Sequence, residues 1–310
     1  MTGADISLTS PADGLVLRGY AWLPAGTPQA AVVIAHGMAE HAERYARFAA
    51  ALTAAGFAVY AFDHRGHGRT ARSATELGHF ADRDGWNRAV ADLAAVCDLA
   101  AQRHPGLPVL LFAHSMGSFM AQQLLYEYSD RIAGCVLCGS NGKPPALAAA
   151  GRLVARAEKL RHGGRGVSLL LHNLSFGAFN KRFAPARTEF DWLSRDPAEV
   201  DKYIADPLCG FPITVQAWID LLDGLEAMAR PENQARIPKA MPVLVIAGSL
   251  DSVSGGTKGL RQLLEAYAAA GLTAVGHKYY DGARHELLNE TNRDAVTADI
   301  IDFFRRCLAG

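Results

Sequence analysis

The sequence predicts an α/β domain, a mostly parallel central sheet with helices on both faces, interrupted by an inserted helical segment. Three observations predict it. Short apolar runs without polar alternation, at residues 30–35 (AAVVIA), 57–62, 109–112, 132–138 and 243–247, read as strands buried on both faces. Stretches of helical apolar spacing fall between them, at 44–55, at 85–103 and from Ser118 onward. The length of 310 residues, with 50% hydrophobic and 20% charged, suits one large domain or a domain carrying an insertion.

Taken in order, residues 6–9 and 15–23 flank Ser10-Pro11-Ala12-Asp13-Gly14 and read as an antiparallel hairpin at a sheet edge. Strand 30–35 leads into helix 44–55, which Gly56 closes, and strand 57–62 follows. Two strand–helix units in succession imply parallel pairing. Helix 85–103 precedes the strand and helix around Ser115, and strand 132–138 comes next. Residues 141–238 interrupt this alternation. It resumes with strand 243–247, helix 257–270, strand 277–280 and helix 286–308. A core domain of 1–140 and 239–310, with 141–238 inserted, is the expected organisation. No internal repeat or low-complexity segment is present.

Composition excludes several functions. The formal net charge is zero, so no global field favours nucleic acid. The first fourteen residues hold neither a basic nor an apolar leader segment, and no stretch reaches the roughly 20 apolar residues of a membrane span. A cytoplasmic protein is expected. Five cysteines, odd in number and scattered, suit a reducing compartment. Cys135 and Cys138 spell C-x-x-C inside a strand, where residues three apart face opposite sides, which argues against a redox or zinc pair.

The chemistry-bearing residues fall where strands end. In Ala113-His114-Ser115-Met116-Gly117 the serine sits on the corner between an apolar strand and a helix, the pattern of a strained turn that lifts a nucleophile above the sheet. Gly117 supplies the close packing. Strand 30–35 is followed by His36-Gly37-Met38-Ala39-Glu40-His41. In a doubly wound sheet this loop shares a crevice with Ser115, so the backbone N–H groups of Met38 and Met116 are the expected oxyanion donors. His36 is expected to stabilise the turn through its imidazole. Asp63-His64-Arg65-Gly66-His67-Gly68 invites a metal reading, but its glycines and arginine suit a sharply turned, hydrogen-bonded loop. Asp251 and His285 each follow a predicted strand, and the order Ser115, Asp251, His285 is that of a hydrolase triad. Asp281 is the rival acid; four residues before His285, it is expected to shape the turn.

The strings HGMAEHAERY, DHRGHG, AHSMG, AGSLD and GARHE together resemble the monoacylglycerol lipase and lysophospholipase-like (serine aminopeptidase S33-type) branch of the α/β-hydrolase superfamily, over nearly the whole chain. The resemblance implies an α/β-hydrolase fold with Ser115 as nucleophile, Asp251 as acid, His285 as base and Met38 and Met116 as oxyanion donors. It also implies that 141–238 is a cap, or lid, subdomain. Two positions depart from the pattern: Ala113 replaces the first glycine around the serine, and Ser118 stands where a second glycine is common.

Within the cap, residues 146–161 read as a helix and residues 215–228 as an amphipathic stretch. The apolar stretch 169–183 carries Phe176, Phe179 and Phe183, which either line an acyl pocket or pin the cap to the body. Asp206-Pro207-Leu208 reads as a turn. Charge is split: residues 143–190 hold nine basic and two acidic side chains, residues 191–232 nine acidic and three basic. Arg152, Arg156 and Lys159 share one helical face beside an apolar stripe of Leu153, Val154, Ala157 and Leu160, so the basic segment either meets anionic lipid or pairs with the acidic half. The function expected is a serine hydrolase of carboxylic esters with one acyl chain, needing no metal or organic cofactor. Its alternatives are a carboxylesterase or thioesterase for small soluble substrates and, on the same fold, a non-catalytic ligand-binding protein.

Overall fold

The computed structural model describes residues 3–143 and 147–309. One eight-stranded sheet organises them, with β1 (Ala4–Thr9), β2 (Val16–Trp22), β3 (Ala30–Ala35), β4 (Phe57–Phe62), β5 (Val109–His114), β6 (Gly134–Cys138), β7 (Val243–Gly248) and β8 (Val275–Tyr280) in the spatial order β1-β2-β4-β3-β5-β6-β7-β8. β1 and β2 form the expected hairpin and β2 adds antiparallel to β4; every other pairing is parallel. The chain steps from β3 to β4 on one side and then to β5 on the other. That reversal opens a crevice at the carboxyl ends of β3 and β5.

β3 to β7 are wholly buried because helices cover both faces. On one side α1 (Ala46–Ala54) packs near the C-terminal α10 (Arg293–Leu308), around Phe48, Leu52, Phe112, Ile300 and Phe304. On the other lie α2 (Gly85–Arg103) and α3 (Met116–Glu127), around Leu93, Leu111, Met120 and Leu124. Cys135 joins the second core and Cys138 the first, so the C-x-x-C pair is divided by the sheet. All five cysteines are free.

Residues 141–238 supply α4 (Leu147–His162), α5 (Leu169–Phe179), α6 (Pro197–Ala205), α7 (Val215–Met228) and the short α8 (Pro231–Gln234). Ala146, the expected first residue of α4, lies outside the described residues. α7 packs on α2 and α3, with Val215, Ala217, Leu221 and Met228 sunk into the large core. Gly224 permits this approach, since a Cβ there would meet the Trp86 indole at 2.2 Å. α4 lies on α7, and α5 lies on α4. α9 (Thr257–Ala269) completes the helices.

Two expected helices are shorter. Residues 42–45 form a 3₁₀ turn ahead of α1 because Asp63 Oδ1 accepts the Ala42 N–H at 2.8 Å and Glu40 Oε1 accepts the Tyr45 hydroxyl at 2.9 Å. The stretch 286–308 divides into a 3₁₀ turn, Leu287–Asn289, and α10. Its break falls at the buried Glu290, whose carboxylate accepts the N–H groups of Arg195, Arg284 and Thr291. Such a carboxylate is better satisfied by those donors than by continuing a helix into solvent. α6 was not expected from the sequence.

Candidate active site

The turn between β5 and α3 places Ser115 in a backbone conformation rare for a side-chain-bearing residue, φ 49° and ψ −119°. Strain of this kind persists only where neighbours over-determine it. Here the Ser115 N–H donates to Cys138 O at 2.9 Å, while the Ser118 and Phe119 N–H groups donate to Ser115 O. Gly117 has no alternative: a Cβ there would sit 2.5 Å from Ala35 O. Ser118, the departure from the usual glycine, adds a fastening. Its hydroxyl donates to Ser115 O at 2.6 Å and lies 2.9 Å from Ser140 Oγ.

The sheet brings three distant residues together. His285 Nε2 lies 2.9 Å from Ser115 Oγ, and His285 Nδ1 lies 2.9 Å from Asp251 Oδ1. Asp251 and His285 are buried. The Trp192 indole and the His114 imidazole flank the His285 ring at centroid distances of 5.2 and 4.7 Å. Burial alone would lower the imidazole's pKa, but the Asp251 carboxylate, with Glu286 and Glu40 nearby, raises it above the usual 6.5. Asp251 is held below the usual carboxylate range because His285 and the Val253 N–H outweigh the burial that would raise it. His114 stays neutral, its pKa pushed down to about 4 by burial and by His285. Asp281 is elsewhere: its Oδ1 accepts the Ser249 hydroxyl at 3.2 Å, and Ser249 Oγ accepts the Gly282 N–H at 2.8 Å. It shapes the turn.

The loop after β3 comes to the same crevice. His36 Nδ1 lies 2.7 Å from Gly37 O, and its Nε2 accepts the His64 N–H at 2.9 Å, so one imidazole joins two loops. Glu40 Oε1 accepts the Gly37 N–H at 2.6 Å. Arg44 then bridges Glu40 at 2.5 Å to Glu286 at 2.7 and 2.8 Å. This buried Glu–Arg–Glu chain ties the loop after β3 to the residue next to His285. Among the described residues, neither the Met38 N–H nor the Met116 N–H finds an acceptor, which leaves both able to donate to a bound oxygen. Asp63 accepts the N–H groups of Ala42 and Arg69, Arg65 pairs with Asp92 and Asp13, and His67 Nδ1 lies 3.0 Å from Arg65 O. The groups that invited a metal reading are engaged in holding the loop.

A profile of the family described as serine aminopeptidase, S33, matches residues 26–292. The chain belongs to that family. It is 32% identical to the monoacylglycerol lipase of Mycolicibacterium smegmatis over 90% of this chain and 89% of that protein. It is also 32% identical to the human monoglyceride lipase, over 90% of this chain and 82% of that one. Among solved structures it superposes on a highly thermostable carboxyl esterase from Bacillus coagulans with a TM-score of 0.91, 27% identity and 99% of each chain covered. Family, fold and relatives agree on a carboxylic ester hydrolase.

In this S33 member, Phe176, Phe179 and Phe183 cluster against Trp192, Leu193 and Tyr203. Phe179 packs tilted against Trp192 at a centroid distance of 5.0 Å, and Trp192 in turn lies against His285, so the aromatic wall runs from α5 to the triad. The expected basic face is only partly available. Arg152 is paired with Asp223 and Glu226 of α7, and Lys159 Nζ donates to Gln216 Oε1 at 2.6 Å. Arg156 remains exposed, whereas Leu153, Leu160, Leu169, Leu170 and Leu174 are 49–90% exposed. Sequence reasoning gave Trp192 and Tyr203 no role, nor Glu286, which closes the noted string GARHE. Glu40 and Arg44 stood in a noted string, but their partner lies 242 positions from Arg44.

Proposed function

We propose that the chain hydrolyses esters of a single acyl chain, of monoacylglycerol or lysophospholipid type, through an acyl-enzyme on Ser115. The unbroken path from Ser115 Oγ through His285 to Asp251, with 2.9 Å at each step, carries this reading. Ser115 attacks the ester carbonyl as His285 Nε2 takes its proton, and the N–H groups of Met38 and Met116 receive the developing oxyanion. His285 returns the proton to the leaving alcohol. Asp251 holds the imidazole with Nδ1 protonated and stabilises its charged form. Water, deprotonated by His285, then attacks the acyl-enzyme and frees Ser115.

Substrate choice belongs to residues 141–238, read as a cap over the core of 1–140 and 239–310. The wall of Phe176, Phe179, Phe183 and Trp192 receives the acyl chain beside the triad. Peripheral contact with lipid runs through the exposed leucines of α4 and α5 rather than through Arg152 and Lys159, which face α7. The free cysteines support a reducing, cytoplasmic setting. No described helix is long and apolar enough to cross a membrane. A general carboxylesterase is the second reading, favoured by the likeness to the Bacillus coagulans carboxyl esterase. An ester panel that varies chain length and leaving group separately decides between them. The proposal expects kcat/KM to rise with acyl length and to favour glyceryl or lysophospholipid head groups; best turnover of short soluble esters would overturn it.

A further inference from the structure

We propose that His41, Asp206 and Cys209 form an inhibitory site for a divalent cation of the zinc class. The three come from two segments. His41 ends the loop that carries Met38, and Asp206 and Cys209 belong to the turn after α6. Within that turn Asp206 Oδ1 accepts the Leu208 N–H at 2.9 Å and Asp206 O accepts the Cys209 N–H at 3.0 Å, which fixes acid and thiol close together. His41 Nε2 lies 2.9 Å from Asp206 Oδ2, and the three ligand atoms lie within 4.8 Å of one another.

Bond lengths of about 2.0–2.3 Å in a tetrahedral zinc site put ligand atoms roughly 3.3–3.8 Å apart. The imidazole and carboxylate, 2.9 Å apart, sit just inside that spacing and the Cys209 thiol lies no more than 4.8 Å from either, so small side-chain rotations complete it. One nitrogen, one oxygen and one sulfur suit zinc and its thiophilic relatives over magnesium or calcium. An ion has a way in, because the Asp206 side chain is 30% exposed and Cys209 half-buried, and water takes the fourth position. Charge permits it as well. Arg44 is already matched by Glu40 and Glu286, and although burial holds the Cys209 thiol well above its usual range, the ion displaces that proton and is balanced by the thiolate and Asp206. On binding, the Cys209 thiol proton leaves to solvent and the His41 proton moves from Nε2 to Nδ1.

The site lies where a cross-link has mechanical effect. Ala39 O, between Met38 and His41, accepts both the Gly210 N–H and the Tyr203 hydroxyl at 2.9 Å, so the oxyanion loop and the 206–210 turn already touch. A bound ion replaces those compliant contacts with coordinate bonds and pulls the loop that sets Met38. The effect on turnover rests on the proposed ester hydrolysis; the binding does not.

Full-length protein and its Ser115→Ala variant, titrated with cobalt(II) and then zinc, test the site without interference from the triad. One ion per chain is expected, with a thiolate-to-cobalt charge-transfer band. Cys209→Ser should abolish the band and weaken zinc by more than the roughly 10–100-fold that loss of an outer-shell partner costs. Asp206→Asn should also weaken zinc while keeping the band at saturating cobalt. Zinc should inhibit ester turnover of the unmodified protein, reversibly on chelation, and leave Cys209→Ser unaffected. Absence of the band, or equal zinc affinity in Cys209→Ser, overturns the site. Zinc bound at this site with undiminished turnover overturns the inhibition. A cobalt band in a protein without esterase activity would uphold the site and overturn the hydrolase reading instead.

Discussion

The strand-end layer and the outer face of α4 and α5 are built by opposite means. Around Ser115 nearly every polar group is buried and bonded. Glu40, Arg44 and Glu286 form one chain, Asp251 and His285 another, and Ser115 itself is held in a strained conformation. On α4 and α5 the large apolar side chains Leu160, Leu169 and Leu174 are 61–90% exposed, and the helices reach the core chiefly through α7. The difference separates two requirements. Chemistry needs groups fixed to within fractions of an ångström, which the sheet ends supply. On the proposed function, admission of an apolar substrate needs an apolar surface open to it, which a fully packed helix does not offer.

The widest test of this contrast is on the acid side of the triad. Asp251→Asn keeps the shape but favours the wrong imidazole tautomer, and kcat should fall by about 10⁴, as in the serine-protease case. Asp281→Asn should cost little, since that carboxylate only accepts from Ser249. Equal losses in steady-state kinetics would break the assignment. Next in size is Arg44→Met, which strands two buried carboxylates and should destabilise the fold by about 3–5 kcal/mol, read by denaturant unfolding. A loss under about 1 kcal/mol would mean the Glu–Arg–Glu chain is not a structural tie.

A smaller effect lies in the pH profile. Turnover needs neutral His285, and its pKa is raised above 6.5, so kcat/KM should fall as pH drops through a value above 6.5. Glu286→Gln removes one of the charges that raise it and should move that limb to lower pH. An unmoved limb would remove Glu286 from the electrostatics of the site. Smallest in stability, within about 0.5 kcal/mol, should be Leu160→Ser with Leu174→Ser on the exposed face. These two should nevertheless lower turnover of vesicle-borne substrate while a small soluble ester is cleaved as before. Equal loss on both substrates would place these leucines in the fold and not in substrate admission.

Legibility in the sequence followed the same division. The uninterrupted runs 30–35 and 57–62 coincide with β3 and β4 because strands buried on both faces admit no polar residue. Ser115 and Asp251 were legible because each follows such a strand, and His285 because it follows β8, the half-exposed strand at the sheet's edge. The spacing at 286–308 suggests one unbroken helix because the break at Glu290 depends on Arg195, 95 positions away. α6 carries a local signal: Asp196 caps it by accepting the Ala198 N–H at 3.1 Å, and Pro197 opens its first turn. The pairing of Asp206 with His41 across 165 positions had no local trace, and a turn was all its string disclosed.

The central claim is that Ser115 is the nucleophile, activated by His285 and Asp251. Treating the protein with a fluorophosphonate probe and locating the adduct by peptide mass spectrometry tests it most directly. The account predicts one adduct per chain, on Ser115, with labelling slowed by orders of magnitude in His285→Ala and absent in Ser115→Ala. An adduct on any other serine, or labelling that survives Ser115→Ala, would contradict it.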